Sequence, residues 1–238
     1  MIEKIRSGYA THVGNVRDHN EDNYRLEPEL GLWIVADGMG GHESGEVASA
    51  ITVDIIAQSI EDGQSLKESL VSAHEAVRYA AKSDPRKSDM GSTVVVLRIR
   101  GNRFEIAWVG DSRVYRLSKR NGFKLLTHDH SYVQMLIDND LINPEDARNH
   151  PMGHVVNQAI GSSPKGVVSV DIIEGSVESG DRFLLCTDGL TNELTDDRIA
   201  EVLRQEKHLQ TVVEKLIGKA LKAGGSDNVT IVVVENAA

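Results

Sequence analysis

Residues 31–36 (GLWIVA) form a short, unbroken apolar run of the length expected for a buried strand, and the polar turn Asp37-Gly38-Met39-Gly40-Gly41 follows it. From residue 43 to about 60, apolar side chains recur at helical spacing. Val47, Ile51 and Ile55 step by four, and Ala48, Val53 and Ile56 widen the stripe. A second helix is predicted over 65–82, with Leu66, Leu70, Ala73 and Val77 on one face, ending before Asp84-Pro85 because the residue ahead of a proline avoids helical angles. The period then shortens to β-rich runs at 93–100, 104–109, 113–117 and 123–126. Gly101-Asn102 and Asn121-Gly122 suit two-residue hairpin turns, so these four runs are expected to form an antiparallel meander. Further strands are predicted at 167–173, 181–186 and 229–234. Helices are predicted at 196–206 and 209–223, the second stopped by Gly224-Gly225. Paired helices alternating with hairpins point to antiparallel sheets covered by helical layers.

Composition narrows the class. The 238 residues carry five scattered prolines (28, 85, 144, 151, 164) and no linker-like tract, so 1–238 is expected to be one domain. Few aromatics leave Val, Ile, Leu and Ala to build the core, which suits sheets packed on helices. With 26 Lys and Arg against 36 Asp and Glu, the net charge of −10 disfavours a nucleic-acid partner. The single cysteine, Cys186, lies in the apolar run Phe183-Leu184-Leu185-Cys186, which excludes a disulfide framework and a thiolate metal cluster and suits a reducing interior. The first twenty residues lack an apolar signal core, and no stretch approaches the roughly 18 apolar residues of a membrane span. A soluble, cytoplasmic protein without a membrane partner is expected. Nothing reads as a coiled coil, so a monomer is expected as well.

Four aspartates share one local context, a carboxylate at a turn beside a buried strand: Ala36-Asp37-Gly38, Gly110-Asp111-Ser112, Thr187-Asp188-Gly189 and Ser226-Asp227-Asn228. Each alone is ordinary turn chemistry. Jointly they matter more, because hard divalent ions take oxygen ligands, and several carboxylates without Cys point to Mg²⁺ or Mn²⁺ rather than Zn²⁺. Glu21-Asp22 adds two more, and Arg17 just upstream places a guanidinium where a phosphate could be held beside cations.

The ordered set Arg17…Asn20-Glu21-Asp22, Val35-Ala36-Asp37-Gly38-Met39-Gly40-Gly41-His42, Met90-Gly91-Ser92-Thr93, Gly110-Asp111-Ser112-Arg113, Thr187-Asp188-Gly189 and Asp227-Asn228 resembles the bacterial type of metal-dependent type 2C serine/threonine protein phosphatases, from about residue 8 to 235. The resemblance implies an α+β sandwich: two antiparallel β-sheets packed face to face, helices on both outer faces, and a metal cluster at one end. It implies that Asp37 bridges two core Mn²⁺ or Mg²⁺ ions and that the Gly38 carbonyl binds one of them. Glu21, Asp188 and Asp227 would complete the second site, Asp22 would order metal-bound water, and Asp111 with Asp188 would hold a weaker third ion. Arg17 would grip the substrate phosphate. The implied reaction is hydrolysis of phosphoserine and phosphothreonine by a hydroxide bridging the two metals. The implied partners are phosphoproteins, targets of a cognate Ser/Thr kinase. Many eukaryotic members carry His where Met39 stands, which leaves His42 and metal-bound water as candidates for protonating the leaving group.

Residues 128–164 correspond by position to the family's variable flap. His128, His130, His150 and His154 there read as loop or surface histidines rather than a zinc site, since Pro151 interrupts the only helical pairing. A cysteine phosphatase is excluded because Asn192, not Arg, stands six residues after Cys186. A nucleotide loop is excluded because Gly38–Gly45 lacks a Gly-Lys-Ser/Thr ending, and a two-metal nuclease lacks a basic stripe. Two alternatives stay open: a catalytically silent phosphoprotein-binding module, and a partner-switching phosphatase acting on a phosphorylated anti-sigma antagonist.

Overall fold

The structure, a computed structural model, describes residues 4–40, 44–84, 89–148, 150–162 and 166–237. Its strands are β1 (Lys4–His12), β2 (Asp22–Glu27), β3 (Leu32–Met39), β4 (Gly91–Arg100), β5 (Arg103–Val109), β6 (Arg113–Ser118), β7 (Gly122–Leu125), β8 (Asp171–Ser176), β9 (Arg182–Cys186) and β10 (Val229–Ala237). Its helices are α1 (Ser44–Glu61), α2 (Leu66–Ser83), α3 (Tyr132–Asp138), α4 (Pro144–Ala147), α5 (Asp188–Thr191), α6 (Asp196–Gln205) and α7 (Leu209–Ala223). Two five-stranded antiparallel sheets result, ordered β1-β10-β9-β6-β7 and β2-β3-β4-β5-β8. Among the described residues no helix is long and apolar enough to cross a membrane.

Central strands read as continuous apolar runs because both of their faces are buried. On β3, Leu32, Ile34 and Ala36 face α1 and α2, while Trp33 and Val35 face the opposite sheet. On β10, Val229, Ile231 and Val233 pack under α6 and α7, while Val232 and Val234 point between the sheets. Phe183 and Phe104 meet there edge to face, with centroids 5.1 Å apart. The sheets thus share one middle layer, and each carries a helical layer outside, the expected sandwich.

Several local expectations are corrected. The four central runs are not one meander: β4 and β5 pair in one sheet, β6 and β7 in the other, and the chain crosses between them at residues 110–112. The β6–β7 turn spans residues 119–121, with Ser118 opposite Gly122, because Ser118 Oγ accepts the Asn121 N–H and closes the turn one residue wider. The strand expected at 167–173 runs from Asp171 to Ser176, since pairing with β5 sets its register, Asp171 opposite Trp108 and Ser176 opposite Arg103. Asp37, Gly38 and Met39 belong to β3 rather than to a turn, held opposite Thr93, Ser92 and Gly91. Strands β1 and β2 carry too few apolar residues to show a period, being the edges of their sheets.

In α1 the buried row is Ala48, Thr52, Ile56 and Ile60, with Gly45 and Ser49 beside it, whereas Val47, Ile51 and Ile55 are only partly covered. The helix turns its small residues to the sheet because backbone meets backbone there. A methyl added to Gly38 would lie 2.0 Å from the Gly45 carbonyl oxygen and 2.7 Å from that of Glu21. Gly38→Ala must push α1 outward and should cost about 1–3 kcal/mol or more. Urea unfolding in EDTA checks this through a lowered midpoint at unchanged slope; an unshifted midpoint would contradict the close approach.

Candidate metal centre

Both sheets deliver carboxylates to one end of the sandwich. The β2–β3 register sets Asp22 opposite Asp37, and Ser92 Oγ donates to the Asp37 carbonyl at 3.0 Å. Asp188 opens α5 directly after β9, and Asp227 lies in the loop entering β10, the neighbour of β9. Asp111 rides on the crossover between sheets. Gly110 before it has φ +107, and a Cβ there would meet the Thr93 side chain at 2.5 Å, so only glycine suits the bend. Glu21 precedes β2, its carbonyl accepting the Gly38 N–H at 3.1 Å and the Ser49 hydroxyl at 2.6 Å.

Close packing of like charges under poor solvation sets the electrostatics. Burial raises the Asp22 carboxyl to about 8; the charges of Asp188 and Asp227 add to this, while hydroxyl hydrogen bonds from Thr230 and Thr187 oppose it. Burial also raises Asp37 well above the carboxylate range, aided by Asp22, Asp188, Asp111 and Asp227. Asp111 is likewise raised well above that range by burial, then by Asp188 and Asp129. Asp188 rises to about 6, from burial and then Asp227. Glu21 is raised by burial against a backbone hydrogen bond from Gly45.

Few donors meet these charges. Asp227 accepts Arg17 Nη2 at 2.8 Å and the Asn228 N–H at 2.8 Å, Asp188 accepts Asn192 Nδ2 at 3.0 Å, and Asp22 accepts Thr187 Oγ1 at 2.9 Å. Among the described residues, Glu21 Oε1, Asp22 Oδ1 and Asp188 Oδ1 are buried with no hydrogen-bond partner. As the side chains stand, no three His, Cys, Asp or Glu groups among the described residues form a ready-made metal cage. Asp227, Asp188 and Asp22 each meet a neighbouring donor, and Asp188 also lies within hydrogen-bonding reach of Asp37. A cluster of carboxylate oxygens with three of them unsatisfied, and no thiolate, fits a hard divalent cation such as Mn²⁺ or Mg²⁺.

The structure therefore gathers Glu21, Asp22, Asp37, Gly38, Asp111, Asp188 and Asp227 at one end, with Arg17 beside Asp227. His42 lies outside the described residues. Sequence reasoning missed the groups that hold the set. Asn228 Oδ1 accepts the Glu21 N–H at 2.8 Å, while its Nδ2 donates to the Val13 and His19 carbonyls at 2.8 and 2.9 Å, pinning the loop that carries Arg17 and Glu21. Thr187, one residue before Asp188, braces Asp22 and takes the Thr230 N–H at 3.0 Å. Their signal was adjacency alone: each directly neighbours a candidate aspartate. A cleft of about 440 Å³ runs from Asp111 and Asp188 past Val133, Pro144 and Arg148 of the 128–164 segment. Grooves of about 500 and 730 Å³ elsewhere contain none of the candidate acids.

Of the four histidines in that segment, His130 is buried rather than superficial, because it packs beneath the crossover against Trp108. His128 is exposed and lies 2.9 Å from Asp138, and His150 tilts against Tyr132.

Comparison with known proteins places this geometry. The family model described as protein phosphatase 2C matches residues 14–222. The serine/threonine phosphatase stp of Listeria monocytogenes serovar 1/2a is 33% identical, the alignment covering 97% of this chain and 96% of that protein. The crystal structure of the Mycobacterium tuberculosis serine/threonine phosphatase PstP/Ppp superposes with a TM-score of 0.90 at 33% identity, covering 98% of this chain and 99% of that one. A structure of the PstP catalytic domain in complex with two manganese ions gives 0.88 at 32% identity, covering 98% and 99%.

A carboxyl held more readily protonated in the folded than in the unfolded chain penalises folding once the pH passes its ordinary value. In EDTA the melting temperature should therefore fall as pH rises from about 4 through the values of Asp188, about 6, and Asp22, about 8. Saturating Mn²⁺ should raise it, and by more at pH 8 than at pH 5.5, because protons and cations compete for the same oxygens. Melting curves with and without Mn²⁺ check both slopes; curves insensitive to Mn²⁺ would contradict the cluster.

Proposed function

The chain belongs to the protein phosphatase 2C family, and from that premise we propose that its acidic end hydrolyses phosphoserine and phosphothreonine in proteins with bound Mn²⁺ or Mg²⁺. The observation that carries the reading is the cluster of raised carboxyls from both sheets with three buried oxygens left unsatisfied. In this reading Asp37, Glu21, Asp188, Asp227 and the Gly38 carbonyl hold two core cations, Asp22 orders water around them, and Asp111 with Asp188 holds a weaker third.

When bound, the cations supply Lewis-acid chemistry, making a water more acidic and offsetting charge on the phosphoryl oxygens. The protein's own groups do the rest. Arg17 is more than half exposed, at 53%, and spends one nitrogen on Asp227. Its remaining donors are available to two phosphoryl oxygens, so the Asp227 pair aims the guanidinium and the fork fixes the phosphate. Asn228 prevents drift between that fork and Glu21 by tying the loop at Val13, His19 and Glu21. Thr187 holds Asp22 in place beside Asp37. The cleft beside Asp111 and Asp188 is lined by apolar and charged groups of the 128–164 segment, which suits residues flanking the phosphorylated side chain.

We assign 1–238 to one catalytic unit, since β1 and β10 from opposite ends of the sequence pair along their lengths. The substrates are read as targets of a cognate kinase, met by a monomer in the cytoplasm. The single cysteine, buried as a free thiol, suits that reducing compartment.

Steady-state release of phosphate from a phosphothreonine peptide tests the residue roles. Arg17→Ala should lower kcat/KM by roughly 10- to 100-fold, the equivalent of about 1.5–3 kcal/mol for hydrogen bonds to a charged group, with Mn²⁺ binding retained. Asp37→Asn should remove turnover and weaken Mn²⁺ binding together. An Arg17→Ala enzyme with unchanged kcat/KM would overturn the phosphate-gripping role.

A further inference from the structure

Asp111 is carried by no regular element. It sits on residues 110–112, where the chain leaves one sheet for the other, and such a crossover keeps its place only if something ties it down. The segment 127–130 supplies the ties, residue by residue. Thr127 Oγ1 accepts the Val114 N–H at 3.1 Å, and the His128 carbonyl accepts Trp108 Nε1 at 2.9 Å. Asp129 takes both ends of the Arg113 guanidinium, at 3.0 and 2.7 Å. His130 then exchanges two bonds with a single residue: its N–H donates to the Gly110 carbonyl at 2.9 Å, and its Nδ1 accepts the Gly110 N–H at 3.2 Å.

The rest of His130 is equally committed. The residue is 9% exposed, and its ring stacks on Trp108 at an inclination of 27° with centroids 6.3 Å apart. Its carbonyl accepts the Asn157 N–H at 2.7 Å, from the far side of the flap-like segment. Because Nδ1 accepts, the neutral ring carries its proton on Nε2, which lies 3.4 Å from Asp171 Oδ2 at the start of β8. Without an acceptor at Nδ1, the Gly110 N–H would be left unsatisfied in a buried bend.

We propose that His130 is a positioning residue: it locks the Gly110–Asp111 crossover to the base of the 128–164 segment and so fixes the carboxylate that would hold the weaker cation. The last clause rests on the metal-centre reading given above; the lock itself does not. Partners of this kind around a ligand typically govern affinity by about 10- to 100-fold without touching the ion.

The two ring nitrogens make the proposal separable by substitution. Asn places an acceptor where Nδ1 stands, whereas Gln reaches toward Nε2 and leaves Gly110 without one. The test uses the full chain, with amide hydrogen exchange over residues 108–113 in EDTA and calorimetric titration with Mn²⁺ alone; the melting temperature in EDTA verifies folding. His130→Asn should stay within about twofold of the wild type in both readouts, because the Gly110 bond survives. His130→Gln and His130→Ala should exchange faster at 108–113 by about tenfold or more and weaken the loosest Mn²⁺ site about tenfold, leaving tighter binding unchanged. Equal impairment of the Asn and Gln variants would reduce His130 to space-filling and overturn the proposal, as would an Ala variant with wild-type exchange. If the wild type bound no Mn²⁺, the metal-centre reading would fail, while the exchange comparison would still decide the lock.

Discussion

Charge held out of water without an opposite charge is the constraint on which this molecule turns. Five aspartates and a glutamate are brought to one end of a packed sandwich, and neighbouring acids raise the proton affinity of Asp22, Asp37, Asp111 and Asp188 beyond the effect of burial alone. Such an arrangement opposes folding when no cation is present, so the remainder of the fold has to be rigid enough to hold it. The three-layered core provides that rigidity: strands buried on both faces leave no freedom for their ends to move apart.

The local devices around the cluster follow from the same constraint. Small residues on α1 let a helix backbone settle onto β3, which keeps Gly38 and Glu21 together. Amide and hydroxyl side chains then do what further charges could not. Asn228 spends its whole side chain on one loop, Thr187 and Asn192 each satisfy one carboxylate oxygen, and the second oxygen is left open. Full satisfaction by the protein would leave nothing for a cation to do. Partial satisfaction orients the oxygens and keeps their affinity.

Much of this was legible in the sequence, and the reasons for the failures are physical. Helical stripes such as Leu66, Leu70, Ala73 and Val77 were plain because one face of α2 is buried and the other is not. For α1 the row Val47, Ile51 and Ile55 marks the margin of the buried face rather than its centre, since hydrophobicity marks burial in side chains, whereas the closest packing here is between backbones at Gly38 and Gly45. Edge strands β1 and β2 were invisible for want of apolar alternation, although β2 carries Asp22. The crossover at Gly110–Ser112 read as one more turn of a meander because hairpin signals are local, while sheet membership is set by distant partners, β8 and β9. The acids were found through their shared context and ordered motifs. Asn228 and Thr187 were not assigned roles, because a hydrogen bond across more than a hundred residues, as between Thr187 and Asp22, leaves no periodic trace, and neither do the bonds of His130 to Gly110 within an irregular segment.

Without metal, the raised carboxyls of Asp22, Asp37 and Asp111 hold protons where a cation would otherwise bind. Calorimetric titration of the metal-free protein with Mn²⁺ at pH 7, repeated in buffers of different ionisation enthalpy, measures this directly. Mn²⁺ binding should release these protons, so the observed heat should vary with the buffer. A binding heat independent of the buffer, or no binding at all, would contradict this.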